Sequence, residues 1–431
     1  MLDEQFFSNE KFHPYVNSKY VAVRAVRGEE SGDALYEEYN VRATPTVAIT
    51  QANGTEIDRV IGYSAPPEGF MDRLEESLNS ETTFANLLKG YNENPDDLKA
   101  AYKLASKYND TYRTDQANEL FEKILTRPDE AKKIMVPFGS EGEVISIYEQ
   151  AKFTQGNLDE FIEEFPDSKL ARDAYTRLAR THSNGRDVEK DGQFFNKMLE
   201  KYPEDINLLK YFVTFCVRSK TDVERGLKIA EKINTETGVS DPAHTKNYAE
   251  LLALSGDNEK LNRFYGKSFA DRQRGTLATN LYNYASFWIS RKENLEDALA
   301  KARMVVELRD GNPSYRSRVA QLFIQAENLE GAMEIYGSEF VNDYMSDARI
   351  LYSYASFWGR QEKNLESALE AAKKSVELDP QPNSYDALSL IYWKSGKLNE
   401  AIKAEEKALE LSPENARYLK RIEDIKKEIK K

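Results

Sequence analysis

The chain has 431 residues, more than a single core typically organises, so two or more folding units are expected. Hydrophobic residues make up 40% and charged residues 31%, which excludes a disordered chain, and no apolar run approaches the roughly 20 residues that span a bilayer. A net charge of −13 argues against nucleic-acid binding, because neutralising phosphates needs a basic face; the one cysteine, Cys216, excludes an intramolecular disulfide.

In chain order, residues 3–18 read as an amphipathic helix with Phe6, Phe7, Phe12, Tyr15 and Val16 on its buried side, broken or kinked at Pro14. The segment after Met1, LDEQFF, has neither a basic n-region nor an apolar h-region, so no signal peptide is visible. Tyr20–Val26 (YVAVRAV) alternates like a strand. Asp33–Tyr39 fits a short helix and Thr46–Thr50 a second strand. Asn53-Gly54 predicts a type I′ hairpin turn, since both central positions of that turn need positive φ. Ile57, Val60 and Ile61 fall on a third strand. Phe70, Leu74 and Leu78 mark a helix entered through Pro66 and Pro67.

The order helix, strand, helix, strand, strand, helix, with Ala43-Thr44-Pro45-Thr46, the Asn53-Gly54 hairpin and Gly62, resembles a thioredoxin-like domain lacking its first core strand. The resemblance covers about the first 80 residues and is nearest to such domains in bacterial proteins with helical repeats downstream. It implies that Thr44 and Pro45 form the cis-proline element that faces the redox cysteines. In the family a strand and a Cys-X-X-Cys stretch precede the position of Met1, and dithiol chemistry needs both cysteines. Losing a central strand orphans backbone groups on both sides. Met1 is therefore expected to be an internal methionine of a longer protein, against a degenerate domain or a strand donated by another chain. Similar domain pairs resemble exported bacterial proteins, which points to the periplasm.

From Glu81 onward strand signals vanish and helix pairs dominate. YASFW at 284–288 recurs at 354–358, with Asn294-Leu295-Glu296 matching Asn364-Leu365-Glu366 at the same shift of 70 residues, twice 35. In the last repeat Tyr385, Leu388, Tyr392 and Gly396 fall on a first helix and its turn, and Ala401, Ala408 and Pro413 on a second. Ser389 and Ala401 are small enough for the two helices to approach. These spacings closely resemble the tetratricopeptide pattern, whose period is about 34. Weaker copies run upstream through Leu104, Tyr175, Tyr211 and Tyr248, and residues 128–142 read as an irregular connection. About eight helix pairs are expected, stacked as a right-handed superhelix, with the polar helix from Asn415 to Lys431 as a cap.

The fold class is thus an incomplete α+β thioredoxin-like domain (1–80), an all-α tetratricopeptide solenoid (81–413) and a capping helix (414–431). Cys216 sits in an apolar helix pattern and reads as a small buried hydrophobe. His13, His182 and His244 share no metal-ligand spacing, and no phosphate loop or nucleophile elbow occurs, so no catalytic, cofactor or metal residue is nominated. First helices line the concave face of tetratricopeptide solenoids. Tyr284, Trp288, Tyr354, Trp358 and Trp393 are therefore the candidate anchors for a protein or peptide partner, although core packing accounts for most aromatics there. The function expected is a protein-binding scaffold with a redox-inactive thioredoxin-like module. The alternative is a truncated thiol–disulfide oxidoreductase whose Cys-X-X-Cys lies upstream of Met1 and whose repeats select substrates.

Overall fold

The computed structural model describes residues 12–63, 67–139, 142–238, 241–272 and 277–429. Phe6, Phe7 and Pro66 lie outside the described residues. The chain divides into two compact units, Met1–Thr181 and His182–Lys431, and the expected boundary at residue 80 falls inside the first.

The first unit opens with α1 (His13–Lys19), α2 (Glu30–Glu38), β1 (Thr46–Thr50), β2 (Glu56–Ile61) and α3 (Pro67–Asn79). Pro14 occupies the first turn of α1, where its missing N–H costs nothing, so it starts this helix rather than breaking it. Tyr20–Val26 is not a strand. Among the described residues no neighbour pairs with it, and Val21 and Val23 are 94% and 77% exposed. Alternating valines favour a strand only when a ladder and a buried face exist. β1 and β2 are antiparallel, Val47 opposite Val60 and Ile49 opposite Asp58. Their turn is not type I′, because only Gly54 has positive φ (85°). The Gly54 N–H donates to Gln51 O and the Gln51 N–H to Thr55 O, a three-residue loop closed by one left-handed glycine. Phe12, Val16, Ile49, Val60, Phe70 and Leu74 form the core beneath this hairpin.

The unit continues with α4 (Phe84–Glu93), α5 (Leu98–Asp110), α6 (Thr114–Leu125), α7 (Pro128–Ala131), β3 (Met135–Pro137), β4 (Val144–Ser146), α8 (Ile147–Gln155), α9 (Leu158–Glu164) and α10 (Ala171–His182), the last crossing into the second unit. α4 packs on β2. Buried ion pairs cross the same seam: Lys107 on α5 reaches Asp58 at 2.7 Å, and Glu56 is held by both Arg59 and Arg113. The expected irregular connection instead holds an antiparallel β3–β4 hairpin. Three-residue strands beside Pro137 are too short for periodicity to reveal.

The second unit is a run of helix pairs: α11 (Val188–Lys201), α12 (Ile206–Ser219), α13 (Val223–Thr237), α14 (Pro242–Ser255), α15 (Asn258–Tyr265), α16 (Lys267–Arg272), α17 (Leu277–Arg291), α18 (Leu295–Glu307), α19 (Pro313–Gln325), α20 (Leu329–Tyr336), α21 (Ser338–Asn342), α22 (Ala348–Gln361), α23 (Leu365–Leu378), α24 (Pro382–Lys394), α25 (Leu398–Leu411) and α26 (Ala416–Ile429). The pairs are α12–α13, α14–α15, α17–α18, α19–α20, α22–α23 and α24–α25. Asp205, Asp241 and Asp347 cap α12, α14 and α22 by accepting two backbone N–H bonds each, which satisfies donors the helix start leaves open. The fourth residue of five second helices is small and buried: Gly226, Ala298, Ala332, Ala368 and Ala401. At Gly226 the helices come too close for a side chain, since a Cβ there would lie 2.9 Å from Cys216 Cβ. α26 closes the stack with Tyr418, Ile422 and Ile425 turned inward and a mostly charged outer surface on which Leu419 and Ile429 are also exposed.

Candidate partner-binding site

Within the second unit each first helix packs on the next: α12 on α14, then α17, α19, α22 and α24. Among the described residues no two second helices approach one another as closely. The first helices therefore form a continuous row on the tighter side of the stack.

The structure places four of the five candidate aromatics below that row. Tyr284, Trp288, Tyr354 and Trp358 are fully buried, so they hold the repeats together and present no surface. The Trp288 indole N–H donates to Tyr265 O at 3.0 Å, and the Trp358 indole to Tyr336 O at 2.8 Å. Those carbonyls end α15 and α20, where a helix has no internal donor left. The Tyr284 hydroxyl donates to Asp297 at 2.6 Å, and the Tyr354 hydroxyl bonds Ser367 at 2.9 Å. The YASFW repeat is thus a stapling device. Its counterpart, missed in the sequence, is Tyr265 with Phe269 and Tyr336 with Phe340, whose rings lie 4.6 and 4.7 Å apart. The signal was available as Tyr-Gly-x-x-Phe at 265–269 and again at 336–340. Trp393 alone is partly exposed, and its indole N–H is held by Glu428 at 2.6 Å.

Several polar side chains reach the surface of the row. The Arg318 guanidinium lies 4.4 Å over the Tyr282 ring, joining α19 to α17. Gln361 donates to Gln321 at 2.8 Å, joining α22 to α19. Tyr352 is half-buried, and Ser353 and Arg349 are exposed.

Elsewhere the described residues hold no cluster of three metal-ligating side chains. The Thr44–Pro45 peptide is cis, and Pro45 O accepts the Gly62 N–H. Cys216 is buried beneath Gly226, and burial pushes its thiol up to about 12, out of the reactive range. His182 pairs with Asp191 at 2.6 Å and stacks on Phe194, while His244 meets Ala230 O. One carboxylate, Glu405, is fully buried on α25 between α24 and α26. Arg421 stands 3.7 Å from it but bonds Asp386 more closely, at 2.6 Å. Burial raises the Glu405 carboxyl to about 7.

A family model for the tetratricopeptide repeat matches residues 382–415, which span α24, its turn and α25. Residues 382–415 are a tetratricopeptide repeat. The pairs α17–α18 and α22–α23 build the same helix–turn–helix around small crossing residues, so the match marks one member of a series. No curated protein matches the chain. Many solved structures are similar, three of them as follows. The APC/C hetero-tetramer Cut9–Hcn1 shares 13% identity over 77% of this chain and 64% of that one, with a TM-score of 0.29. A tetratricopeptide repeat protein from Parabacteroides merdae ATCC 43184 shares 15% identity over 59% of this chain and 97% of that one, TM-score 0.31. A MamA RS-1 ArsTM double mutant shares 17% over 49% and 97%, TM-score 0.25. This chain spans less than two thirds of the Cut9–Hcn1 chain, and overlaps of this size carry no argument about function.

Proposed function

We propose that this chain is a protein-binding scaffold: its tetratricopeptide repeats hold a polypeptide along the row of first helices, and residues 1–80 form a thioredoxin-like module without a dithiol. The observation that carries the reading is the continuous row itself, from α12 to α24, with its structural aromatics spent in the core and its outer side chains left to a partner. Repeats that contact only their neighbours generate an extended surface of this kind. The module reading is supported by the β1–β2 hairpin and by α3, whose Phe70 and Leu74 pack beneath it. The single thiol, Cys216, is buried far along the chain in α12 and cannot serve it.

The test is site-specific photo-crosslinking of the full chain in an extract of its host. A photoreactive residue at Ser353 on the row is expected to yield discrete polypeptide adducts, and one at Lys373 on α23 none. Adducts from Lys373 alone, or from neither, refute the scaffold reading. Insulin reduction by the same chain is expected to stay at background, and turnover would refute the dithiol-free module.

A further inference from the structure

We propose that the row formed by α17, α19 and α22 binds an extended acidic segment of its partner; this deepens the scaffold reading and rests on it. In a chain of net charge −13, these three helices contain no aspartate or glutamate. Their second helices carry the acids instead, among them Glu296 and Asp297 on α18, Glu330 and Glu334 on α20, and Glu366 and Glu370 on α23. The charge is therefore segregated by face, not merely dilute.

Of the arginines on these helices, Arg291 pairs with Glu293 and Arg316 donates to Gly311 O and Ile335 O, which leaves three without a carboxylate. Arg318, Arg349 and Arg360 are exposed and have no carboxylate within ion-pair distance among the described residues. Lysines elsewhere on this surface behave differently: Lys292 is paired with Glu327 and Lys394 with Glu362. On α22, Arg349, Ser353 and Arg360 fall on one helical stripe, spaced four and seven residues apart. On α19, Arg318 and Gln321 occupy the equivalent stripe, and their bonds to Tyr282 and Gln361 show that they face the neighbouring first helices.

Guanidinium groups clamp carboxylates in two-pronged geometry, and serine and glutamine satisfy the backbone of an extended chain. Three helices packed at about 9 Å intervals span roughly 20 Å, the reach of six or seven extended residues. A nucleic acid is the other polyanion. It is disfavoured because phosphate binding draws on many cations at once, whereas the acidic second helices flank this row. Their repulsion falls off within about 8 Å at physiological salt, which leaves the row's own cations to act on a short acidic segment.

The experiment is fluorescence anisotropy of a labelled twelve-residue peptide of alternating glutamate and serine titrated with the full chain. A glutamine–serine peptide, a lysine–serine peptide and a twelve-nucleotide single strand serve as rivals. The acidic peptide is expected to bind at least tenfold tighter than each rival and to weaken as salt rises from 50 to 300 mM. The double variant Arg349→Glu/Arg360→Glu is expected to lose at least tenfold, with an unchanged melting temperature, because both side chains are exposed and neither is ion-paired or stacked on a ring. Lys373→Glu on α23 is expected to stay within twofold. Equal binding of the glutamine peptide, tighter binding of the oligonucleotide, an equal loss in Lys373→Glu, or no acidic-peptide binding at all would each overturn the proposal. Crosslinks from Ser353 combined with no preference for acid would overturn it while leaving the scaffold standing. Absence of those crosslinks would remove the scaffold itself.

Discussion

Glu405→Gln should stabilise the C-terminal cap, and by an amount that depends on pH. Glu405 is fully buried where α24, α25 and α26 meet, beside the Ser389 hydroxyl and the Asp386 carboxyl, and no well-formed hydrogen bond reaches either of its carboxylate oxygens among the described residues. Two charged groups face it: Arg421 from α26 at 3.7 Å, and Asp386 on α24, which is itself paired with Arg417 and Arg421. Burial outweighs the attraction of Arg421, and the carboxyl rises from 4.5 to about 7. The folded state then holds this proton more tightly than the unfolded chain between those two values. Stability must therefore fall as pH climbs from about 4.5 to about 7, with the full cost present above. A shift of that size corresponds to about 3 kcal/mol. Glutamine never ionises, so the variant should escape most of this cost at pH 8 and little of it at pH 5. Arg421 keeps its partner, because it already bonds Asp386 at 2.6 Å. The assay is hydrogen exchange of the Ile422–Ile425 amides, corrected for intrinsic rates. Protection of the parent should drop 10- to 100-fold between pH 5 and pH 8, and protection of the variant should stay flat. A variant less protected than the parent at pH 8 would show that the carboxylate is stabilised where it sits, and would refute the reasoning.

Trp358→Phe keeps the ring packing but orphans Tyr336 O at the end of α20; a loss of about 1–3 kcal/mol in urea unfolding is expected, and a neutral result would mean the indole bond is not structural. Gly226→Ala places a methyl group 2.9 Å from Cys216 Cβ and 3.0 Å from its Sγ; it should destabilise by about 1–3 kcal/mol, and Cys216→Ala, which removes the Sγ, should recover part of that loss, with no recovery counting against the sulfur contact. Lys107→Met strands Asp58, which is buried in the seam between β2 and α5, and should cost about 3 kcal/mol, whereas Asp58→Asn/Lys107→Met should cost less; equal losses would show the pair is uncoupled.

Legibility in the sequence tracked whether a signal was local. The last repeat was readable because Tyr385, Leu388, Ala401 and Pro413 each answer to their own helix and its partner. Small crossing residues were readable for the same reason, since a helix pair at close range demands them at one fixed place. Tyr20–Val26 failed because a strand is a property of two segments, and alternation in one says nothing about a partner. The Asn53-Gly54 turn failed by one residue of loop length, which moved positive φ from both central positions to Gly54 alone. The aromatics failed for a different reason. Tyr284, Trp288, Tyr354 and Trp358 look like binding anchors because large rings concentrate binding energy, but the same property makes them the residues a core recruits first. Helical spacing separates the two faces of α22 and still cannot say which face the next repeat covers. What distinguishes the faces is charge. A buried face excludes acids and bases alike, whereas the exposed stripe of α22 excludes only acids and keeps Arg349 and Arg360. An asymmetry of that kind is not required by packing, and a partner of opposite charge is the selective pressure that would maintain it.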